Sequence, residues 1–357
     1  MRAVIRIVAV TAAVFAALAA CNGKKPAPRS PLVDSAPVSE GDTSGRLVRE
    51  LELEVLASYD REKLDSLAAT AAVDARVGLS GFGVGPDDVM VNSALDDHWP
   101  VTEVAGARIQ IVSRRLELFL SNDQTVGWAY DDISLRLPVC GRVASIPLRL
   151  AQVYVRDSER WTLVSEHAAY SQSMGRWLDT ARGPDGARLT SAVEEQSESK
   201  QAQEVLAQLV AGEGDTSALW ASDMGVLAVW PDPLHVLRGG AARSGPTLAR
   251  TLGDAGDVTV AIDGLRLALG PGRNVAIANA TLLAHVKRLR AGTDDPVDVR
   301  LRGTFVVERV GEAWKVRFAM VSTPITTGAL VGRSVGVVAR LESRTRVQTT
   351  CPASPGR

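Results

Sequence analysis

The stretch "ERWTLVSEH", Glu159 to His167, returns near the other end of the chain as "EAWKVRFAM", Glu312 to Met320. Each has a short charged turn, a tryptophan, and residues that alternate with period two, the pattern of a half-buried β-strand. One copy closes on a histidine and the other on a methionine. Working outward, "LELFL" (Leu116–Leu120) lies over "LRLAL" (Leu265–Leu269) at an offset of 149. That offset also sets Asp74 and Val77 on Asp223 and Val226, Ile109 and Ile111 on Val258 and Val260, and Val126 on Val275. From Leu148 and Arg149, which meet Leu301 and Arg302, through Trp161 and Trp314, the offset is 153. Four additional residues near "AGTDDP" in the second copy absorb the change, and hairpin loops accept such insertions because closure entropy grows slowly with length. Self-similarity of this kind predicts two tandem copies of one module.

Each copy reads helices first and strands afterwards. Between Arg46 and Ser58 the residues Leu47, Val48, Leu51 and Val55 recur at three- and four-residue intervals, and Asp60 is placed to cap a second helix running to Ala72. The second copy offers a helix over Ser197–Val210, with Ala202, Val205, Leu206 and Leu209 on one face. Alternating runs follow: "TVGWAY" and "PLRLAQVYV" before "RWTLVSEH", and "NVAIANA" and "VRLRGTFVVE" before "AWKVRFAM". Helices followed by a strand meander predict an α+β domain with the helices covering one face of a curved antiparallel sheet.

The ending of the first copy, a charged turn, then "WTLVSEH" and the nearby Ser171, resembles the SnoaL-like branch of the nuclear transport factor 2-like superfamily. The second copy, "WKVRFAMVSTP", keeps Trp314 and Ser322 and lacks the histidine. The resemblance covers roughly residues 46–172 and 197–325 and implies two tandem cone-shaped domains, each wrapping its sheet around helices and an internal pocket. It is specific for the fold and poorly specific for activity, because this cone hosts many unrelated functions.

Simple alternation puts Trp161, Leu163, Ser165 and His167 on one strand face, and Trp314, Val316, Phe318 and Met320 on its counterpart. With the tryptophans packed toward the helices, His167 and Met320 are expected over the two interiors. The pocket candidates are therefore Trp128, Ser165, His167, Trp230, Phe318 and Met320. Two readings of His167 stand side by side, a core histidine satisfied by hydrogen bonds and a weak candidate for a general base. Asp96, Asp97 and His98 are read as a loop or a pocket mouth, and Tyr59 falls in a helical segment with no partner that spacing alone assigns. Arg149 and Arg302 fall on the opposite face, the sheet's outer surface, through which the two domains would pair as an internal pseudo-dimer.

The N-terminus sets the compartment. Arg2 and Arg6 precede an apolar run from Ile7 to Ala17, too short to span ~30 Å of hydrocarbon. It ends in "LAAC", which resembles the lipobox of bacterial lipoproteins and makes Cys21 the expected acylation site; the other reading is a secretory signal with Cys21 incidental. Two or three acyl chains at ~0.8 kcal/mol per buried methylene would anchor the chain firmly in a bilayer. The absence of an aspartate after Cys21 favours the periplasmic side of the outer membrane over the inner membrane. The organisation is then a signal peptide (1–20), a Pro-rich tether (21–45), a first domain (46–173), a linker (174–196), a second domain (197–325) and a tail (326–357), in which "SVGVVARLES" is able to add a strand.

Of the 40 Lys and Arg, loss of Arg2 and Arg6 leaves 38 against 41 Asp and Glu, a net charge of 3 negative. That balance, with no basic block, argues against nucleic acid as a partner. Cys140 and Cys351 are able to pair in an oxidising compartment or to remain two thiols. His98, His167, His235 and His285 have no ligand spacing, so no metal and no cofactor is expected, and the glycines of "GLSGFGVGP" are read as turn and strand-edge chemistry rather than a phosphate loop. Two functions compete. One is a non-catalytic module of the cell envelope that binds a small apolar ligand or assists assembly. The other is an isomerase-, cyclase- or dehydratase-type enzyme in the first domain.

Overall fold

The computed structural model describes residues 43–59, 80–85, 87–91, 101–102, 110–139, 142–157, 159–171, 186–193, 195–252, 258–287, 296–325, 339–341 and 346–349. Cys21, Cys140, Cys351, Asp60, Gly78, Asp96, Asp97 and His98 lie outside them. The chain divides into two units, Met1–Gly45 and Arg46–Arg357, and the architecture below is that of the second.

In chain order the elements are α1 (Thr43–Ser58), β1 (Ser80–Phe82), β2 (Val89–Val91), β3 (Val101–Thr102), β4 (Gln110–Leu120), β5 (Val126–Val139), β6 (Arg142–Asp157), β7 (Arg160–Ala169), β8 (Ala192–Val193) and α2 (Ser197–Ala211). There follow a 3-10 turn (Thr216–Leu219), β9 (Leu227–Val229), β10 (Val236–Arg238), α3 (Gly240–Ser244), α4 (Leu248–Leu252), β11 (Val258–Leu269), β12 (Val275–Val286), β13 (Val297–Val310), β14 (Ala313–Ser322), β15 (Ala339–Leu341) and β16 (Arg346–Thr349). The result is a mixed, sheet-rich α and β protein.

The first sheet runs β2-β1-β7-β6-β5-β4, and the second runs β10-β9-β14-β13-β12-β11-β8. Position by position the order is the same, including the parallel contacts of β1 with β7 and of β9 with β14. The expected linker supplies β8, which extends the second sheet beyond β11. In the tail, β15 lies within "SVGVVARLES" and joins β16 and β3 in a small third sheet.

Each large sheet takes a helix on one face. Leu47, Leu51 and Val55 of α1 are buried against Ala129, Ile133, Leu148 and Trp161, the four-residue repeat that puts side chains on one helix stripe. Ala202, Leu206 and Leu209 of α2 are buried with Val260, Phe305 and Trp314. The helix α2 stops at Gly212, whose left-handed φ of 64° lets its N–H reach the Gln208 carbonyl. Ile325, just past β14, donates its N–H to the Val84 carbonyl at 3.0 Å and packs in the core beneath the first sheet.

The opposite faces of the two sheets pack on each other. Trp128, Tyr130, Val153 and Val164 from the first form one buried cluster with Val229, Ile277, Phe318 and Met320 from the second. Simple alternation fails here for an identifiable reason. Val153 pairs with Ser165 and Tyr154 with Leu163, so Val164 is an inserted residue; Arg317 is inserted in the same way between Val316 and Phe318. One extra residue in a strand exchanges the faces of everything after it. Trp161 and Leu163 keep the inward orientation that alternation predicts, as do Trp314 and Val316. Ser165, His167, Phe318 and Met320, expected over the interiors, instead face the opposing sheet.

Candidate functional site

Beyond the bulge, the inward side chain of β7 is Glu166 rather than His167, and it enters a polar cluster under the C-terminal end of α1. Gln152 on β6 donates to Glu166 Oε2 at 2.7 Å and to Ser58 Oγ at 2.9 Å, while the Tyr154 hydroxyl donates to Gln152 Oε1 at 3.0 Å. On β5, one register position removed, Asp131 is 1% exposed. Its Oδ2 accepts the Tyr59 hydroxyl at 2.9 Å. Its Oδ1 accepts the backbone N–H groups of Arg115 at 2.9 Å and Arg114 at 3.3 Å, which belong to a second bulge at Arg114 in β4. An inserted residue leaves donors that the strand ladder cannot use, and the carboxylate takes them.

Burial pushes the Asp131 carboxyl up, opposed by the bonds from Ser113, the Arg115 N–H and Tyr59. Burial first, and then the charge of Asp131, push the Tyr59 hydroxyl far up. Tyr59 is therefore a protonated donor to an acceptor whose two oxygens are both engaged.

The second sheet has no such cluster. The residues aligned with Asp131, Gln152, Tyr154 and Glu166 are Ala280, Phe305, Val307 and Ala319, all buried. Phe305 fills the space: a Cβ added at Gly303 would lie 2.5 Å from its ring.

The seam between the sheets holds its own polar groups, satisfied from the opposite side. Arg149 donates to the carbonyls of Trp230 at 2.8 Å and Pro233 at 2.9 Å. Arg302 donates to the Gly83 carbonyl at 2.9 Å and stands 5.5 Å from the centroid of the Phe82 ring. The loop that each arginine reaches aligns with the other's, since Gly83 falls on Asp232 at the offset of 149. Both guanidinium groups are pulled down by burial, Arg302 to about 10. Glu308 accepts the Asn122 N–H from the first sheet and Arg317 Nε from its own, each at 2.6 Å.

His167 is fully buried in this seam, with Nδ1 3.1 Å from Thr304 Oγ1 and Nε2 2.7 Å from Ser322 Oγ. The Thr304 hydroxyl donates to Asn279 Oδ1 at 2.7 Å, and Ser165 donates to the same oxygen at 3.0 Å. Thr304 therefore accepts from Nδ1–H, and Nε2 accepts from Ser322, which fixes one neutral tautomer. Burial first, and then the Arg302 charge, push the imidazole down to about 3. Trp128 also lies in the seam, stacked on Phe119. Trp230 lies in the core beneath the second sheet, its indole N–H on the Pro246 carbonyl at 3.0 Å. Among the described residues no three His, Cys, Asp or Glu side chains gather as metal ligands would. Of the six residues expected over the two interiors, Trp128, Ser165, His167, Phe318 and Met320 thus lie in the seam between the sheets, and Trp230 lies beneath the second sheet.

The cluster that does converge, Tyr59, Asp131, Gln152 and Glu166, left one trace in the sequence. Acidic Asp131 and amide Gln152 interrupt strands whose inward neighbours, Ala129, Ile133 and Leu150, are apolar. Finding Glu166 requires knowing where the bulge falls.

With the geometry in place, part of the chain is similar to several solved structures. One is a nuclear transport factor 2-like superfamily protein from Salmonella enterica serovar Typhimurium, 16% identical over 37% of this chain and 96% of that one, with a TM-score of 0.30. Others are Aln2 from a Streptomyces species, 13% identical over 37% and 94% with a TM-score of 0.30, and the association domain of C. elegans CaMKII, 12% identical over 35% and 91% with a TM-score of 0.27. No family model matches the chain, and no curated protein matches it.

Proposed function

We propose that this chain is a lipoprotein of the bacterial cell envelope, anchored through acylated Cys21 on the periplasmic side of the outer membrane, with two SnoaL-like cone units paired as an internal pseudo-dimer. In this reading the pair acts as a non-catalytic binding or assembly module. The observation that carries it is the state of Asp131: both oxygens are engaged by Tyr59 and by the bulge at Arg114. Buried, and hydrogen-bonded through both oxygens to a fixed hydroxyl and to backbone N–H groups, Asp131 reads as a structural acceptor rather than a general base. The reciprocal arginine contacts of the seam support the pseudo-dimer, because each unit supplies the carbonyls that the other's buried cation needs.

The enzyme reading would make Asp131, its carboxyl raised by burial, the poised base. The two readings separate on stability. Replacing a side chain kept under tension for chemistry tends to stabilise a protein, whereas replacing a structural acceptor leaves buried donors unpaired at ~1–3 kcal/mol. The Asp131→Asn chain is expected to have a lower urea midpoint than the parent, and a higher midpoint would overturn the non-catalytic reading. The anchor is tested separately by the mass of the N-terminal peptide, which should carry acyl chains on Cys21 and lose them in Cys21→Ser.

A further inference from the structure

The face of α1 that looks away from the first sheet carries Arg46, Arg49, Leu53 and Leu56. At 3.6 residues per turn these four positions form one stripe, opposite the buried Leu47, Leu51 and Val55. Leu53 is 69% exposed and Leu56 42%, and the Arg46 side chain is 67% exposed. The acids of the helix, Glu50, Glu52 and Glu54, lie off the stripe, and Glu50 is shared between Arg46 at 3.7 Å and Arg156 at 3.8 Å. Adjacent leucines beside guanidinium groups are the apolar and cationic parts of a helix that lies on a bilayer surface.

The second copy serves as the comparison. At an offset of 155 the buried Leu47, Leu51 and Val55 fall on Ala202, Leu206 and Val210, which are also buried, so the two helices are matched on their sheet-facing sides. The outward stripe then becomes Gln201, Glu204, Gln208 and Ala211, with neither cation nor leucine. The fold therefore does not require the stripe of α1. What distinguishes α1 is its place in the chain: residues 22–42, 21 in number, separate it from Cys21, a span of at most about 75 Å when fully extended. An acylated Cys21 would hold α1 within that reach of a bilayer, where even a weak contact is populated because the effective concentration is high. The sheets pack on each other through the faces that the helices leave free, so α1 and α2 lie on opposite sides of the pair. One side toward the bilayer and one away from it accounts for the difference between the two stripes.

We propose that the outward stripe of α1 docks on an anionic bilayer surface, with Arg46 and Arg49 on lipid phosphates and Leu53 and Leu56 inserted beneath them. The docking rests on the Cys21 anchor and sets which side of the pair faces the membrane. The test uses the full acylated chain in vesicles of phosphatidylcholine, with and without phosphatidylglycerol, and reads the modification of arginines by phenylglyoxal from peptide masses. Arg49 should react about tenfold more slowly on the vesicles that contain phosphatidylglycerol, the effect of two cations near an anionic surface. Arg250, an exposed residue of α4, should react equally on both. Leu53→Ser combined with Leu56→Ser, both at exposed positions, should restore the reactivity of Arg49 and leave the urea midpoint unaltered. The N-terminal peptide in the same digest separates two failures. A peptide without acyl chains overturns the anchor and the docking together, whereas an acylated chain whose Arg49 reacts equally on both vesicles overturns the docking alone. Slowing that survives the double serine variant, or that occurs without vesicles where the chain elutes as a dimer, also overturns it, the latter by making the stripe a contact between copies.

Discussion

Acid should unfold this protein in part through His167. The ring is neutral because a second proton on Nε2 would displace the Ser322 hydroxyl at 2.7 Å and place a cation beside Arg302 in a fully buried seam. Its pKa in the fold is about 3, against 6.5 for the free side chain. The folded pKa is the lower of the two, so between them the unfolded chain binds the proton that the folded chain refuses. The stabilisation is complete above about pH 6.5 and is lost as pH falls toward about 3. At pH 5 the unfolded histidine lies about 1.5 pH units below its pKa, which amounts to ~2 kcal/mol, a large share of a typical ~5–15 kcal/mol. The assay is the urea midpoint at pH 8 and pH 5, followed by tryptophan fluorescence, for the parent and for His167→Gln. Glutamine cannot charge, so the titration of every carboxylate cancels in the comparison. With a urea slope on the order of 3 kcal/mol per molar, the acid-induced drop should be about 0.7 M smaller in the variant. An equal drop in both chains would refute the neutral, seam-buried histidine.

Two further substitutions probe packing. In Gly81→Ala the new methyl would lie 1.8 Å from the Glu166 carbonyl oxygen where β1 runs beside β7, so the β1 pairing should break at ~3 kcal/mol or more. Gly311→Ala, at a φ of 62° with nothing within 4 Å, should cost only the ~1–2 kcal/mol of a left-handed residue; urea midpoints separate the two. Phe305→Ala should remove ~3–5 kcal/mol and leave an apolar void, which benzene should fill, raising the midpoint of the variant and not that of the parent.

How much of this was legible in the chain depends on where alternation carries information. The strand runs, the helix stripe of Leu47, Leu51 and Val55, and the inward tryptophans Trp161 and Trp314 are written as plain periodicity, because one side of each element differs in polarity from the other. Past Val164 and Arg317 that contrast disappears: Ser165 to Ala169 and Phe318 to Ser322 are buried on both faces. A strand covered on both sides has no polar side to mark its parity, so a one-residue bulge there is invisible to period counting and every assignment beyond it is inverted. The face assigned to Ser165 and His167 was lost to the insertion at Val164, and that of Phe318 and Met320 to the insertion at Arg317. Glu166 was hidden by the first of these.

The inversion also answers why one strand ends in histidine and its echo in methionine. In the seam His167 meets Thr304 and Ser322. At the offset of 153 those hydroxyl positions align with Ala151 and Ala169 of the first sheet, which share the apolar seam cluster with Met320. Two first sheets placed face to face in the same geometry would set each His167 against alanines and leave both ring nitrogens without partners. Two second sheets would set each Met320 against Thr304, which keeps Asn279 of its own sheet, and against Ser322, whose buried hydroxyl would lose its partner. Unpaired groups of this kind cost ~1–3 kcal/mol each and occur twice in either wrong pairing. The first sheet paired with the second leaves none of these groups stranded. Histidine with two hydroxyls, and methionine with two alanines, therefore direct each sheet to the other rather than to a copy of itself, using penalties against the wrong partner as much as attraction to the right one.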